Sequence, residues 1–217
     1  MPSLGDLLSR HAPVLWIDAA SSTIQVGILS PDAPARWARI EGDAGTGLFQ
    51  AVTQLGFDVG SAGAFVFCEG PGSILGIRTC AMAIRAWTAL AARPVYAYRS
   101  LELVARSLGR PEVSVIADAR RDTWHCLKID AQGALSALQR VPTAELTGTL
   151  VTPAGFRAWS ALPAREIATV PYDLAQLIPA LGTADLFRLT EEPDAFLHEE
   201  PSYVTWTPQV HQSPAPR

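Results

Sequence analysis

Lysine is almost absent from this chain. Of its 17 basic residues 16 are arginine, and Lys128 is the single lysine. The basic total falls below the 21 acidic residues, leaving a formal net charge of −4. A chain without a basic surplus has little with which to neutralise phosphates, so strong unaided nucleic-acid binding is not expected. Chemistry that needs an amine has one candidate. Lys128 sits between Leu127 and Ile129 in a strand-like run, so the glycine-rich phosphate loop ending in Gly-Lys-Ser/Thr is missing. The arginine preference reads as coding bias rather than function. The acidity is uneven: residues 1–112 carry nine acids and nine bases, whereas residues 113–217 carry twelve acids and eight bases.

Cysteine is scarce too. Cys68, Cys80 and Cys126 form neither a CxxC pair nor an even disulfide set. Each lies in an apolar run, so the simplest reading is three buried thiols in a reduced, cytoplasmic protein. The first 13 residues lack the apolar core of a secretory signal. The longest apolar helix candidate, residues 75–92, is interrupted by Arg78 and Arg85, which argues against a membrane span. The four histidines, His11, His125, His198 and His211, include no pair at i,i+4, so HExxH and HxxxH metal motifs are absent. His125, in an apolar strand, reads as structural. No GxSxG nucleophile elbow is present.

What is present is a globular composition, 48% hydrophobic and 18% charged, enough to bury a sizeable core. Residues 14–19 and 23–29 read as a hairpin, with a third strand at 35–41. A helix is predicted at 47–55 and a buried strand at 64–68. A long helix follows at 75–92, then a strand at 95–98 and a helix at 101–108. Gly109-Arg110-Pro111 is the best boundary, dividing the chain into residues 1–110 and 111–217. Beyond it, strands are predicted at 113–117, 123–129 and 148–152, and short helices near 154–159 and 174–181. The chain from Pro208 on is expected to fray. No repeat at a solenoid period is visible. A doubly wound dinucleotide fold normally opens with strand, glycine turn and helix. This chain opens with strand, polar turn and strand, with Asp18 at the end of the first strand. That is the opening of the actin-like and sugar-kinase ATPase fold, a mixed α/β class.

Three local constellations carry possible chemistry. Gly70-Pro71-Gly72-Ser73-Ile74-Leu75-Gly76 follows a buried strand and opens a helix, which makes it either an anion site or a tight turn with close helix packing. Asp18 with Ser21, Ser22 and Thr23 is either a phosphate hairpin or a turn whose side chains satisfy its own backbone. Asp118, Arg120, Arg121 and Asp122 are either an anion clamp or a solvated turn. A dinucleotide reading would use Arg99 against a 2′-phosphate, but Pro71 breaks the glycine fingerprint and three strands precede it.

Together these pieces resemble one family. Val14-Leu15-Trp16-Ile17-Asp18-Ala19-Ala20 is similar to the "ILAIDTS" start of the TsaB family, also called YeaZ. Gly70-Pro71-Gly72-Ser73-Ile74-Leu75-Gly76-Ile77-Arg78 resembles its "GPGSFTGLR". Pro94-Val95-Tyr96-Ala97-Tyr98-Arg99-Ser100-Leu101-Glu102 looks like "PVVGVSSLEAL", and Asp118-Ala119-Arg120-Arg121 matches "DARRGEVY". Pro201-Ser202-Tyr203 with Trp206 is similar to the tail "PxYLR…W". The motifs run in family order, with a weak stretch from 131 to 195.

The resemblance implies an actin-like fold of two related halves, the second degenerate. It implies a non-catalytic subunit that pairs with TsaD, on which the ATPase TsaE acts, in making N6-threonylcarbamoyladenosine beside the anticodon of tRNA. Contact with tRNA would be indirect, through the complex, and a homodimer through the same helices is an alternative pairing. Docking would use helices 47–55 and 75–92, through Gly76, Arg78, Thr79, Ala83, Arg85 and Ala86. A vestigial nucleotide site would comprise Asp18, Ser21, Gly70, Gly72, Ser73, Asp118 and Arg120. No cofactor or metal is implied beyond weak ATP or ADP at the partner interface. The family also goes under glycoprotease-like and M22 peptidase-like names, and the missing HxxxH pair gives protease chemistry no support. Departures are specific: Ala19-Ala20 replaces Thr-Ser, Ile74-Leu75 replaces Phe-Thr, Val204 replaces the tail Arg, and the first docking helix lacks the family's His-Ser-Glu start. These losses favour a scaffold over the alternative of an active small-molecule kinase or ATPase; an NADP-dependent oxidoreductase is the least favoured reading.

Overall fold

Five consecutive buried residues open the first sheet of the computed structural model, which describes residues 1–161 and 166–196. Full burial of β1 (Val14–Asp18) means that both faces of the strand are covered. β1 is preceded by α1 (Leu4–His11), unforeseen in the sequence, which begins at a capping box between Ser3 and Asp6. β1 pairs antiparallel with β2 (Thr23–Ser30), and β2 with β3 (Ala33–Glu41). The chain continues through α2 (Ala44–Leu55), β4 (Ala64–Gly70), α3 (Ile74–Leu90), β5 (Val95–Arg99) and α4 (Ser100–Leu108). β4 lies parallel to β1, and β5 parallel to β4. The predicted elements of this half all form, with ends shifted by at most three residues.

The second sheet repeats the plan. β6 (Val113–Asp118), β7 (Thr123–Ile129) and β8 (Gln139–Pro142) form the antiparallel meander, and β9 (Thr149–Pro153) and β10 (Ile167–Val170) are added in parallel. The sheet orders are β11-β5-β4-β1-β2-β3 and β10-β9-β6-β7-β8, where β11 (Arg188–Leu189) is an antiparallel addition to the first edge. The halves differ in their helices. Where the first half has α2 and α3, the second has a 3₁₀ turn at Thr143–Glu145 and, among the described residues, no helix between β9 and β10. A duplicated plan with a reduced second copy is the actin-like, ribonuclease H-like arrangement.

The helix predicted at 154–159 does not form. Gly155 turns the chain at φ +77, and the backbone N–H groups of Trp159 and Ser160 go to the Asp118 carboxylate instead of a helical ladder. The helix predicted at 174–181 is α5 (Leu174–Leu177) followed by a 3₁₀ turn. β8, β10 and β11 were not foreseen. The tail motif of Pro201, Ser202, Tyr203 and Trp206, together with His198, His211 and the expected fraying from Pro208, lies outside the described residues.

The two faces of the first sheet hold different aromatic layers. Phe65 stacks on Trp87 of α3 with centroids 5.7 Å apart. On the opposite face Trp16 meets Tyr98 at 5.0 Å and Phe187 at 5.3 Å. One core cluster spans both halves, and a small second one (Ile116, Trp124, Cys126, Leu146, Leu150) lies on the second sheet. The two sheets part between Leu108 and Val113, yet Tyr172, Phe187 and β11 return to pack on the first. All three cysteines are buried and unpaired. Among the described residues no helix is long and apolar enough to cross a membrane.

α3 is seated on the turn after β1. A Cβ at Gly76 would overlap the carbonyl oxygen of Ala19, so this position admits only glycine without a shift of backbone. Gly76→Ala is expected to destabilise the chain by roughly 1–3 kcal/mol through overpacking. Gly5→Ala, whose Cβ would meet nothing closer than 3.8 Å, is expected to be neutral or mildly stabilising. Urea denaturation of the two variants checks the contrast.

Candidate functional site

Alternation along β1 puts Trp16 and Asp18 on the sheet face opposite α3, and Asp18 ends the strand with no exposed surface. Its Oδ1 accepts the N–H of Ala20 at 2.8 Å. Its Oδ2 accepts the hydroxyls of Tyr98, from β5, and Tyr172, the latter at 2.6 Å. Cys68 lies beside them, 4.0 Å from the Tyr172 hydroxyl. Burial pushes the Asp18 carboxyl above its ordinary range, against the opposing pull of the Tyr172, Tyr98 and Ala20 hydrogen bonds. Burial, and then the Asp18 charge, push both phenols and the Cys68 thiol well up. Both oxygens of this enclosed aspartate are engaged by donors within the chain.

Tyr172 belongs to a segment that is pinned to the first sheet. The Gln25 amide donates to the Tyr172 carbonyl at 3.0 Å and accepts the Leu174 N–H at 2.9 Å. Arg39 pairs with Asp173 at 2.5 Å. Phe156 packs edge-on against the Tyr172 ring at 4.9 Å.

The expected phosphate contacts are occupied from within the chain. Ser21 Oγ accepts the Thr23 N–H at 3.2 Å and donates to the Thr23 carbonyl at 2.9 Å, so the hairpin turn satisfies itself. The Ser22 N–H donates to Gly155 of the second half at 2.9 Å. The Ser73 N–H goes to the Ala20 carbonyl at 2.8 Å, and the Ser73 hydroxyl caps α3 by accepting the Gly76 N–H at 3.3 Å. A Cβ at Gly72 would lie 2.5 Å from the Ala20 oxygen. These glycines let one turn sit against the other. Gly70 ends β4, beside Pro71, whose carbonyl accepts the Ser100 hydroxyl at 2.5 Å. Arg99, considered for a 2′-phosphate, pairs with the buried Glu69 at 3.2 Å and lies over Phe196. Glu69 also pairs with Arg188.

Asp118 ends β6 as Asp18 ends β1, in a different setting. It accepts N–H groups from Arg120 at 2.5 Å, from Ser160 at 2.8 Å and from Trp159, and the Ser160 hydroxyl at 2.9 Å. Partial burial raises its pKa, but these donors together outweigh it and leave the carboxyl below its ordinary range. Among the described residues no group of three His, Cys, Asp or Glu could hold a metal ion.

On the other side of the first sheet, α2 and α3 present an apolar outer face. Phe49, Leu75 and Met82 are 51%, 72% and 61% exposed. Phe49 meets Trp87 edge-on at 6.4 Å, which joins the two helices across the face. Leu75, Thr79, Met82 and Ala86 recur at helical spacing along α3. Two residues expected to face a partner turn inward instead: Gly76 rests on Ala19, and Ala83 is buried in the monomer core. Arg78 and Arg85 are exposed but occupied, Arg78 by Asp194 at 3.5 Å and Arg85 by the Pro193 carbonyl at 2.7 Å. Phe49, Leu75 and Met82 escaped notice in the sequence because a small-residue stripe drew attention to the buried side. Their signal was the large apolar residue one step round the helix. Tyr172 and Gln25 carried no motif.

No family model matches the sequence, and no curated protein does. Solved structures do match. YeaZ from Pseudomonas aeruginosa superposes with a TM-score of 0.56 at 19% identity, over 77% of this chain and 89% of that one. The fold is the YeaZ fold. An uncharacterized protein with similarity to peptidase YEAZ, also from Pseudomonas aeruginosa, matches with a TM-score of 0.53 at 18% identity, over 77% and 88%. Most of each matched chain is thus covered.

The enclosed aspartate has a consequence in pH. The folded chain holds the Asp18 proton to higher pH than the unfolded chain, whose carboxyl titrates near 3.8. This group's contribution to stability is therefore fullest below 3.8 and falls as pH rises toward the raised folded value. Asp118 acts with the opposite sign and is common to both proteins compared. The stability difference, Asp18→Asn minus wild type, is expected to grow as pH rises from 4 to 7, as read by denaturant titration. Tyr172→Phe is expected to cost about 1–3 kcal/mol by removing a donor from a buried carboxyl.

Proposed function

We propose that this chain is a TsaB-like, non-catalytic subunit that docks on a TsaD-type protein and supports threonylcarbamoylation of tRNA. The observation that carries the reading is the exposed apolar face of α2 and α3, on a fold shared with YeaZ. A soluble surface with Phe49, Leu75 and Met82 on adjoining helices has a covering partner to find, since burying each such side chain is worth about 1.5–3 kcal/mol. The ordered sequence motifs of residues 14–20, 70–78 and 118–121 add the family resemblance. A TsaE-type ATPase would act on the assembled pair.

The kinase or ATPase reading gains no support from the site. Its aspartate is enclosed by two phenols, and its loop N–H and hydroxyl groups bond within the chain. Nucleotide, if held at all, would be held between the two proteins rather than by this chain alone.

Met82→Glu puts a charge at the centre of the face without touching the core, so folding should be unchanged. Co-purification with the cognate TsaD at 1:1 is expected for the wild type and is expected to fall at least tenfold for Met82→Glu. Wild-type protein that fails to retain TsaD would refute the reading.

A further inference from the structure

The turn after β6 and the loop after β9 meet at one corner of the second sheet. Arg120, Arg121 and Asp122 all adopt left-handed backbone, with φ of 64, 51 and 55. Three successive non-glycine residues in that region are costly, and such strain concentrates at functional sites. The surroundings hold the turn there. Asp118 takes the Arg120 N–H and the Trp159 and Ser160 N–H groups, and so fixes both segments to one carboxylate. Arg140 braces the turn from β8, donating to Thr123 Oγ1 at 2.7 Å and the Ala119 carbonyl at 3.1 Å.

This scaffold presents an aromatic ring and free positive charge. Trp159 is 66% exposed, although tryptophan is ordinarily well buried. The Arg120 guanidinium lies 5.7 Å from its ring centroid. Arg121 is exposed in the same turn and Arg157 in the same loop as Trp159. Among the described residues no carboxylate pairs with Arg120, Arg121 or Arg157. Asp118 is spent on backbone donors, which leaves Asp122 as the one other acid of the turn. In a half of the chain that is acidic overall, this corner is locally basic.

An exposed indole flanked by guanidinium groups matches a ligand with flat rings and negative charge. Single-stranded nucleic acid supplies both, with a base to stack and phosphates to pair. An acidic peptide supplies only the charge and leaves the indole unused. We propose that Arg120, Arg121, Arg157 and Trp159 form a contact for single-stranded RNA. The choice of RNA rests on the reading above, whereas the stacking contact itself stands on this corner alone. With three arginines the contact is weak, as the charge balance requires, and it acts as an auxiliary grip beside the main RNA-holding partner.

The test uses the isolated full chain and a fluorescein-labelled, mixed-sequence single-stranded oligoribonucleotide, followed by anisotropy. Binding is expected at low salt, with log K falling against log salt at a slope of about −2, roughly 0.7 per phosphate neutralised. Trp159→Ala and Arg120→Ala are each expected to weaken binding about tenfold, with Trp159→Phe retaining most of it. Circular dichroism checks that the variants fold. Absence of binding, or binding indifferent to Trp159 and Arg120, overturns the proposal. Equal binding of a labelled polyglutamate peptide with the same Trp159 dependence also overturns it and assigns the corner to acidic protein. Because no TsaD is present, and Met82→Glu should bind the oligonucleotide as wild type does, failure here and failure of partner docking are seen separately.

Discussion

The Asp18 carboxyl organises this molecule. An ionised carboxylate taken fully out of water is expensive; burial pushes the Asp18 carboxyl above its ordinary range, and hydrogen-bond donors surround it. Those donors come from three places: the turn after β1 through Ala20, strand β5 across β4 through Tyr98, and the returning segment through Tyr172. One side chain therefore fixes the hairpin turn, the strand register and the attachment of the second half. Gln25 and the Arg39–Asp173 pair extend the same attachment along β2 and β3.

The turn held by Asp18 in turn seats α3. Ala19 and Ala20 lie under Gly76 and Gly72, and Ser73 both bonds to Ala20 and caps the helix. Once the inner side of α3 is set in this way, its outer side follows, and Leu75 and Met82 face away from the core beside Phe49 of α2. The polar groups that the sequence offered for phosphate are used to build this platform. The turn groups bond to each other, while the apolar outer face of α2 and α3 stays open.

The first half was legible because its signals are local. The apolar run ending at Asp18, the short polar turn, and Gly-Pro-Gly-Ser before a long helix each depend on neighbours in sequence. The second half was harder. The expected helix at 154–159 lost its N–H groups to Asp118, a partner some forty residues earlier, and no local pattern records that capture. Tyr172 and Gln25 meet across 147 residues, and their pairing exists only in three dimensions. Gly76 and Ala83, expected on the outer side of α3, are turned inward. A stripe of small residues marks close approach without saying whether the approaching surface is a partner or the chain's own turn.

The proposed function requires α2 and α3 to be a docking face. Hydrogen exchange of the chain, alone and with the cognate TsaD, tests this most directly. Protection confined to α2 and α3, with amides around Asp18 and Tyr172 unchanged, is the predicted result. Protection absent from these helices, or concentrated elsewhere in the chain, would contradict it.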